Sequence, residues 1–129
     1  MNFRNAHRQD VVLAIDDERS ILHIVKTTLE GEGYKVHTAS GPKEGIELYE
    51  THWREIKLVL LDFLMPDMTG DLVFGLLQRF NPDVRVVLLT AYHENVTGEM
   101  FANGLWGFMR KPFYSQDLKN RVHDAINSQ

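Results

Sequence analysis

Residues 11–17 read Val-Val-Leu-Ala-Ile-Asp-Asp, an unbroken apolar run that stops at two adjacent carboxylates. A strand with one face in water alternates apolar and polar residues, whereas a strand buried on both faces is apolar throughout. Strands of the second kind belong to parallel sheets that helices cover on both sides. The run therefore predicts a central parallel strand, with Asp16 and Asp17 at its carboxyl end.

Short apolar segments and longer amphipathic segments alternate along the rest of the chain. The further predicted strands are 34–39, 56–61, 84–89 and 106–109. Apolar residues recur at helical spacing within 21–29, 46–53, 72–80 and 118–126, and a weaker helix is predicted over 94–103. The alternation predicts five β-α units, and hence an α/β fold with a doubly wound, five-stranded parallel sheet.

Length and composition suit one folded domain, since the chain has 129 residues and 43% of them are hydrophobic. We expect that domain over residues 10–129, after a polar N-terminal extension over 1–9. The chain contains no cysteine, which excludes disulfides and thiolate metal sites. Its six histidines lack the clustered spacing of a zinc site.

Charge and hydropathy narrow the choice of partners. The net charge is −4, and no run of Lys and Arg is dense enough to predict direct binding to nucleic acid. No segment reaches the ~20 apolar residues of a membrane span, and residues 1–9 lack the apolar core of a secretory signal. The sequence therefore predicts a cytoplasmic protein that does not bind a membrane.

Polar residues stand where four of the predicted strands end. Asp16 and Asp17 follow the first strand, Asp62 the third and Thr90 the fourth, and Lys111 comes just after the fifth. The carboxyl ends of parallel strands share one edge of the sheet, where doubly wound folds bind their ligands. Each residue alone could be a helix start, a turn residue or a surface group. Their joint placement instead predicts that three carboxylates, a hydroxyl and an ammonium group converge.

Such a cluster suits phosphoryl chemistry. At ~5 Å and an effective dielectric constant of ~20, each pair of ionised carboxylates repels by roughly 3 kcal/mol, so a proton or a cation must offset the charge. Carboxylate oxygens favour Mg²⁺, which also neutralises the charge that develops in phosphoryl transfer. An aspartate can act as the nucleophile and form an acyl phosphate. Lys111 and Thr90 can then contact the phosphoryl oxygens.

Four motifs, in this order, resemble the receiver domain of two-component response regulators, and the resemblance spans about residues 10–127. The motifs are Asp16-Asp17, the loop 62–70 that reads Asp-Phe-Leu-Met-Pro-Asp-Met-Thr-Gly, Thr90-Ala91, and Lys111-Pro112-Phe113. The resemblance implies a flavodoxin-like (βα)5 receiver fold with strand order 2-1-3-4-5. It also implies a regulatory phosphoacceptor that catalyses only its own phosphorylation and dephosphorylation.

The resemblance implies a role for each matching acidic residue. Asp62 would be the phosphoacceptor. Mg²⁺ would be held directly by Asp17, Asp62 and the backbone carbonyl of Leu64, and Asp16 would act mainly through metal-bound water. Leu64 and Tyr92 stand two positions after Asp62 and Thr90, and neither is acidic or an amide. In the receiver family, side chains at these two positions influence how water reaches the acyl phosphate. The large side chains of Leu64 and Tyr92 therefore predict slow self-dephosphorylation.

The resemblance also implies a switch. Thr90 and Lys111 would contact the phosphoryl group, and Lys111-Pro112 is a candidate cis peptide. A shift of Thr90 would let Phe108 swing inward and reshape the surface of the fourth helix, fifth strand and fifth helix. Large apolar residues near this face are either core or a docking patch that could serve a phosphorylation-dependent dimer: Met100, Phe101 and Trp106.

The implied partners are a sensor histidine kinase or phosphotransfer protein as donor, and an effector domain or partner protein as target. Three alternatives stay open. A Mg²⁺-dependent phosphohydrolase would usually need a second acid where Leu64 stands, and a flavin or nucleotide module would need a Gly/Ser/Thr-rich cradle after the first strand. A receiver-like domain could also have lost phosphate acceptance. The sequence does not identify the kinase, stimulus, output or oligomeric state, nor whether the chain stands alone or belongs to a longer regulator or hybrid kinase.

Overall fold

The computed structural model describes residues 9–128, so most of the predicted extension over 1–9 lies outside the described residues. The strands are β1 (Val11–Ile15), β2 (Lys35–Ala39), β3 (Ile56–Asp62), β4 (Val86–Thr90) and β5 (Gly107–Arg110). The α-helices are α1 (Arg19–Gly31), α2 (Pro42–His52), α3 (Gly70–Phe80), α4 (Gly98–Ala102) and α5 (Ser115–Asn127). Within this part of the chain, no helix is both long and apolar enough to cross a membrane.

The strands form one parallel sheet in the order β2-β1-β3-β4-β5. This topology confirms the predicted α/β fold class and the strand order 2-1-3-4-5. The register pairs Ile15 with Leu61 and Asp62 with Leu89, so the three central strands reach the same edge together. β3 extends one residue beyond the predicted strand, which makes Asp62 its last residue.

Both faces of the sheet are covered by helices. Val11, Leu13 and Ile15 pack with buried residues of α2 and α3, whereas Val12 and Ala14 pack with buried residues of α1 and α5. All five residues of β1 and all five of β4 are buried. The apolar runs in the central strands are unbroken because helices shield the sheet from water on both sides.

The fourth helix is shorter than predicted. The segment predicted as one helix over 94–103 contains a 3-10 turn at His93–Asn95 and then α4, which begins only at Gly98. The hydroxyl of Thr97 accepts the backbone N–H of Met100 at 3.2 Å. In a continuous helix that N–H would bond to the carbonyl of Val96 instead. The prediction of a single helix is therefore wrong, because Thr97 caps a new helix start.

Gly45 brings α2 into close contact with β1. A Cβ atom at this position would lie 2.5 Å from Cδ1 and 2.7 Å from Cγ1 of Ile15. We expect Gly45→Ala to lower the free energy of unfolding by about 1–3 kcal/mol, because the core must shift to relieve the overlap. Urea denaturation measures the change.

Gly75→Ala is the matched control, since a Cβ atom there meets nothing within 4 Å. Alanine should stabilise α3 by roughly 0.5–1 kcal/mol relative to glycine. Equal effects of the two substitutions would show that the contact with Ile15 does not restrict position 45.

Candidate functional site

The predicted acidic residues meet at the carboxyl edge of the sheet. Asp16 follows β1 directly and Asp62 ends β3. Asp16, Asp17 and Asp62 each offer a carboxylate oxygen, and these oxygens lie within 4.8 Å of one another. Asp16 and Asp62 are buried, whereas Asp17 is exposed. The structure thus brings the three carboxylates together and leaves one of them facing solvent.

Lys111 places an ammonium group in this cluster. Its Nζ lies 2.8 Å from Oδ2 of Asp16, 3.1 Å from Oε1 of Glu18 and 3.3 Å from Oδ1 of Asp62. The lysine side chain is only 11% exposed, so these carboxylates replace water as its main partners. The peptide bond between Lys111 and Pro112 is cis.

Burial and crowding shift the pKa values of these groups. Burial, followed by the charge of Asp16, raises the pKa of Asp62 to about 7, although Lys111 opposes the shift. Burial also raises the pKa of Asp16. For Lys111, burial favours the neutral amine, but its hydrogen bond to Asp16 and the nearby negative charges outweigh burial and raise its pKa. Lys111 therefore stays charged, while the buried carboxylates of Asp16 and Asp62 are crowded and poorly solvated.

The donor set fits a hard divalent cation. When the three aspartates are ionised, the single charge of Lys111 leaves the cluster negative, and Glu18 adds to the excess. Such a group of carboxylate oxygens favours Mg²⁺, which keeps several of its waters. The exposed Asp17 leaves a path from solvent for those waters. Asp16, Asp17 and Asp62 are the candidates to hold the ion, and the carbonyl of Leu64 as a ligand stays a prediction.

A close backbone contact supports the end of β3. The N–H of Gly70 donates to the carbonyl of Phe63 at 2.7 Å. A Cβ atom at Gly70 would lie 2.9 Å from the carbonyl oxygen of Asp62. The glycine that closes the loop motif therefore lets α3 begin directly against the residue that carries the candidate acceptor.

Thr90 ends β4 and is 2% exposed. Its hydroxyl donates to the carbonyl of Tyr92 at 3.0 Å and accepts the backbone N–H of Tyr92 at 3.1 Å. It also accepts a hydrogen bond from the side-chain amide of Asn95 at 3.0 Å. The structure thus places Thr90 at the predicted edge of the sheet, with its hydroxyl bonded to the loop that follows.

Phe108 lies on β5, in register with Leu88 of β4, and is partly buried. It lines a groove of about 740 Å³ between β5 and α5, here called the β5–α5 groove. The other apolar side chains that line the groove belong to Phe101, Trp106, Met109, Pro112 and Phe113. Of the residues whose burial the sequence left open, Met100 is core, Trp106 is half-buried and Phe101 is 45% exposed. Polar and charged residues complete the lining, among them Arg110, Asp117 and Arg121, so the groove next to the candidate switch residue is of mixed character.

Two contacts at the site are absent from the sequence predictions. Glu18 binds Lys111, which lies 93 positions later, and no periodicity pairs residues so far apart. Asn95 binds Thr90, but the predicted helix over 94–103 gave no reason for Asn95 to turn back to the strand end. A weak signal existed for Glu18, since it extends the acidic pair after the first strand.

Comparison with known proteins agrees with this geometry. The family model described as the response regulator receiver domain matches residues 12–123. The chain is also similar to part of the sensor kinase CckA of Brucella abortus (strain 2308), with 29% identity over 119 residues. That match covers 92% of this chain but 13% of the kinase. The chain spans about half the length of other curated regulators that it matches.

Solved structures share the fold. A response regulator receiver domain protein from Clostridium thermocellum has a TM-score of 0.83 and 30% identity, and the match covers 91% of this chain and 94% of that one. The response regulator protein TrrA from Thermotoga maritima, in complex with Mg²⁺-BeF, has a TM-score of 0.80 and 28% identity, with 91% and 99% covered. Since the family match extends over most of the chain and the sheet order agrees with it, this chain belongs to the response regulator receiver domain family.

Proposed function

We propose that this chain is a phosphoacceptor signalling domain in which Asp62 receives a phosphoryl group with the help of Mg²⁺. The observation that supports the proposal most is the arrangement of Asp16, Asp17 and Asp62 around one edge of the sheet, with Lys111 between them. Phosphoryl transfer to a carboxylate needs a nucleophile, a site for a cation and a positive group for the oxygens, and the cluster contains all three.

In the proposed reaction, a carboxylate oxygen of Asp62 attacks the phosphorus atom of the donor. A new P–O bond forms while the bond to the leaving group breaks, and the leaving group keeps the electron pair. Bound Mg²⁺ would neutralise charge on the transferred oxygens. Lys111 already lies 3.3 Å from Oδ1 of Asp62, so it can exchange a carboxylate partner for a phosphoryl oxygen.

Thr90 and Phe108 are the proposed switch. Phosphorylation adds ~1.5–2 negative charges and three acceptor oxygens. Thr90 would turn its hydroxyl to one of these oxygens, and Phe108 would move inward from the β5–α5 groove into the space that opens. The surface formed by α4, β5 and α5 would then change shape, which biases an equilibrium between two states.

The proposed donor is a sensor histidine kinase or a phosphotransfer protein. The proposed target of the changed surface is an effector domain or a partner protein, and a phosphorylation-dependent dimer through the β5–α5 groove is one form that this target could take. Direct nucleic-acid binding by this domain is not part of the proposal. A cytoplasmic location stays a prediction.

Intact-mass spectrometry tests the phosphoacceptor function. Incubation with acetyl phosphate and Mg²⁺ should add about 80 Da for each phosphoryl group. The added mass should disappear at alkaline pH, as expected of an acyl phosphate, and EDTA should prevent its appearance. A receiver-like scaffold would gain no mass, and a phosphohydrolase would instead release phosphate from small esters with many turnovers.

The lifetime of the acyl phosphate should depend on Leu64 and Tyr92. Their side chains are 53% and 59% exposed, so they can cover the pocket without serving the core. Neither can orient an attacking water through a carboxylate or an amide. We expect Leu64→Asn combined with Tyr92→Glu to shorten the half-life by about tenfold or more, measured as decay of the added mass.

Leu72→Asn is the control, because it makes one of the same changes at a leucine of α3 that is 58% exposed. Its half-life should equal that of the wild type. Faster hydrolysis in the wild type than in the double variant would contradict slow self-dephosphorylation.

A further inference from the structure

The hydroxyl of Thr90 uses its full hydrogen-bonding capacity inside the loop that follows β4. A threonine hydroxyl has one proton to donate and two lone pairs to accept with. The proton goes to the carbonyl of Tyr92, and the lone pairs take the N–H of Tyr92 and the side-chain amide of Asn95. Donation to a phosphoryl oxygen therefore requires the Thr90 proton to leave the carbonyl of Tyr92, and turning the hydroxyl also moves the lone pairs that accept from Tyr92 and Asn95.

Two of these partners are backbone groups of Tyr92, and the third is the side chain of Asn95. It stands at the end of the 3-10 turn His93–Asn95, half-buried, and its amide lies 3.0 Å from Oγ1 of Thr90. The turn exists because Thr97 begins α4 late and leaves residues 93–95 outside it. Because residues 93–95 form a separate turn, the side-chain amide of Asn95 can reach back to Thr90, the candidate switch residue.

The surroundings allow this amide to leave. Asn95 lines a cavity of about 320 Å³ between α3 and α4, with Phe63, Phe74 and Met100 among the other lining residues. A side chain that borders open space can change rotamer without repacking the core. The hydrogen bond from Asn95 to Thr90 can therefore open and close while β4 stays in place.

We propose that Asn95 is a positioning residue that holds the Thr90 hydroxyl in the resting state and so opposes phosphoryl binding at Asp62. The proposal rests on the phosphoacceptor function proposed above and adds a residue to it. Asn95 acts through Thr90 and touches no reacting atom. Its removal should lower the cost of turning the hydroxyl toward the phosphoryl group.

Beryllofluoride with Mg²⁺ serves as the phosphoryl mimic that tests this role. With Mg²⁺ saturating, Asn95→Ala should bind beryllofluoride about three- to tenfold more tightly than the wild type, which is the usual net effect of one hydrogen bond. Titration calorimetry measures the affinity, and Mg²⁺ affinity without beryllofluoride should not change. Asn95→Leu keeps most of the volume and should behave in the same way, which guards against an effect of a cavity.

A double-mutant cycle separates positioning from a merely structural role. In Thr90→Ala, the hydroxyl is gone, so adding Asn95→Ala should leave the affinity for beryllofluoride unchanged. Asn103→Ala is the matched control, because Asn103 is exposed and is not a partner of the Thr90 hydroxyl. It should bind as the wild type does.

Two results would overturn the proposal: unchanged affinity in both Asn95 variants, or an equal gain with and without the Thr90 hydroxyl. Either result leaves the phosphoacceptor function intact if wild-type protein still gains phosphoryl mass. A wild type that neither gains mass nor binds beryllofluoride would reject that function, and this proposal with it.

Discussion

Asp62→Asn is expected to abolish the addition of phosphoryl mass from acetyl phosphate. An amide at position 62 cannot provide the carboxylate oxygen that forms the acyl phosphate. The variant should remain folded, because burial and the charge of Asp16 disfavour the ionised form of Asp62 and raise its pKa. Removing that charge relieves repulsion, so the melting temperature in Mg²⁺-free buffer should not fall.

Asp67→Asn is the control, since it makes the same change at an exposed aspartate five positions along the same loop motif. Its labelling should equal that of the wild type. Undiminished labelling of Asp62→Asn would show that another residue accepts the phosphoryl group, and peptide mapping of the label would then identify it.

Lys111→Met is expected to change metal binding and phosphoryl binding in opposite directions. The ammonium of Lys111 lies within 3.3 Å of two carboxylates that would hold Mg²⁺, so its charge would repel the ion, and its loss should tighten Mg²⁺ binding by about tenfold. Beryllofluoride should bind at least about tenfold more weakly, because a charge-assisted contact is lost. Titration calorimetry gives both affinities.

The same variant should be less stable than the wild type without Mg²⁺. The carboxylates of Asp16 and Asp62 are almost fully buried, and Lys111 is their cationic partner. Buried charges that lose a partner are strongly destabilising, and Mg²⁺ should therefore raise the melting temperature of the variant by more than that of the wild type.

Lys119→Met is the control at a surface pair, where Nζ of Lys119 lies 3.9 Å from Oε2 of Glu32. Exposed pairs contribute about 0–1 kcal/mol, so we expect little change in stability and none in either affinity. If Lys111→Met weakened the binding of both Mg²⁺ and beryllofluoride, the proposal that the ammonium opposes Mg²⁺ binding and favours phosphoryl binding would be wrong.

Much of the fold could be predicted because its causes are local in the sequence. The run Val11–Ile15 is apolar throughout because both faces of β1 are covered, and such a pattern is visible without coordinates. In a parallel sheet, strand ends share an edge, so Asp16, Asp62 and Thr90 could be expected together from topology alone.

The rest depends on contacts that no local pattern carries. The start of α4 depends on the hydrogen bond from the N–H of Met100 to the hydroxyl of Thr97. This bond replaces the helical bond from Met100 to the carbonyl of Val96. The pairing of Lys111 with Glu18 depends on the relative placement of β5 and the start of α1. Periodicity predicts which face of an element is buried, but it does not predict which long side chain reaches across a strand end.

The strand order has a consequence for how the site forms while the protein is synthesised and folds. β5 forms the outer strand next to β4, and it is followed by the lysine that balances the carboxylates carried by β1 and β3. A chain that leaves the ribosome from its N-terminus exposes the acidic residues long before that lysine is made. Until the last strand docks, the carboxylate of Asp62 has no ammonium beside it, so the proposed ability to accept a phosphoryl group would arise only when the sheet is complete.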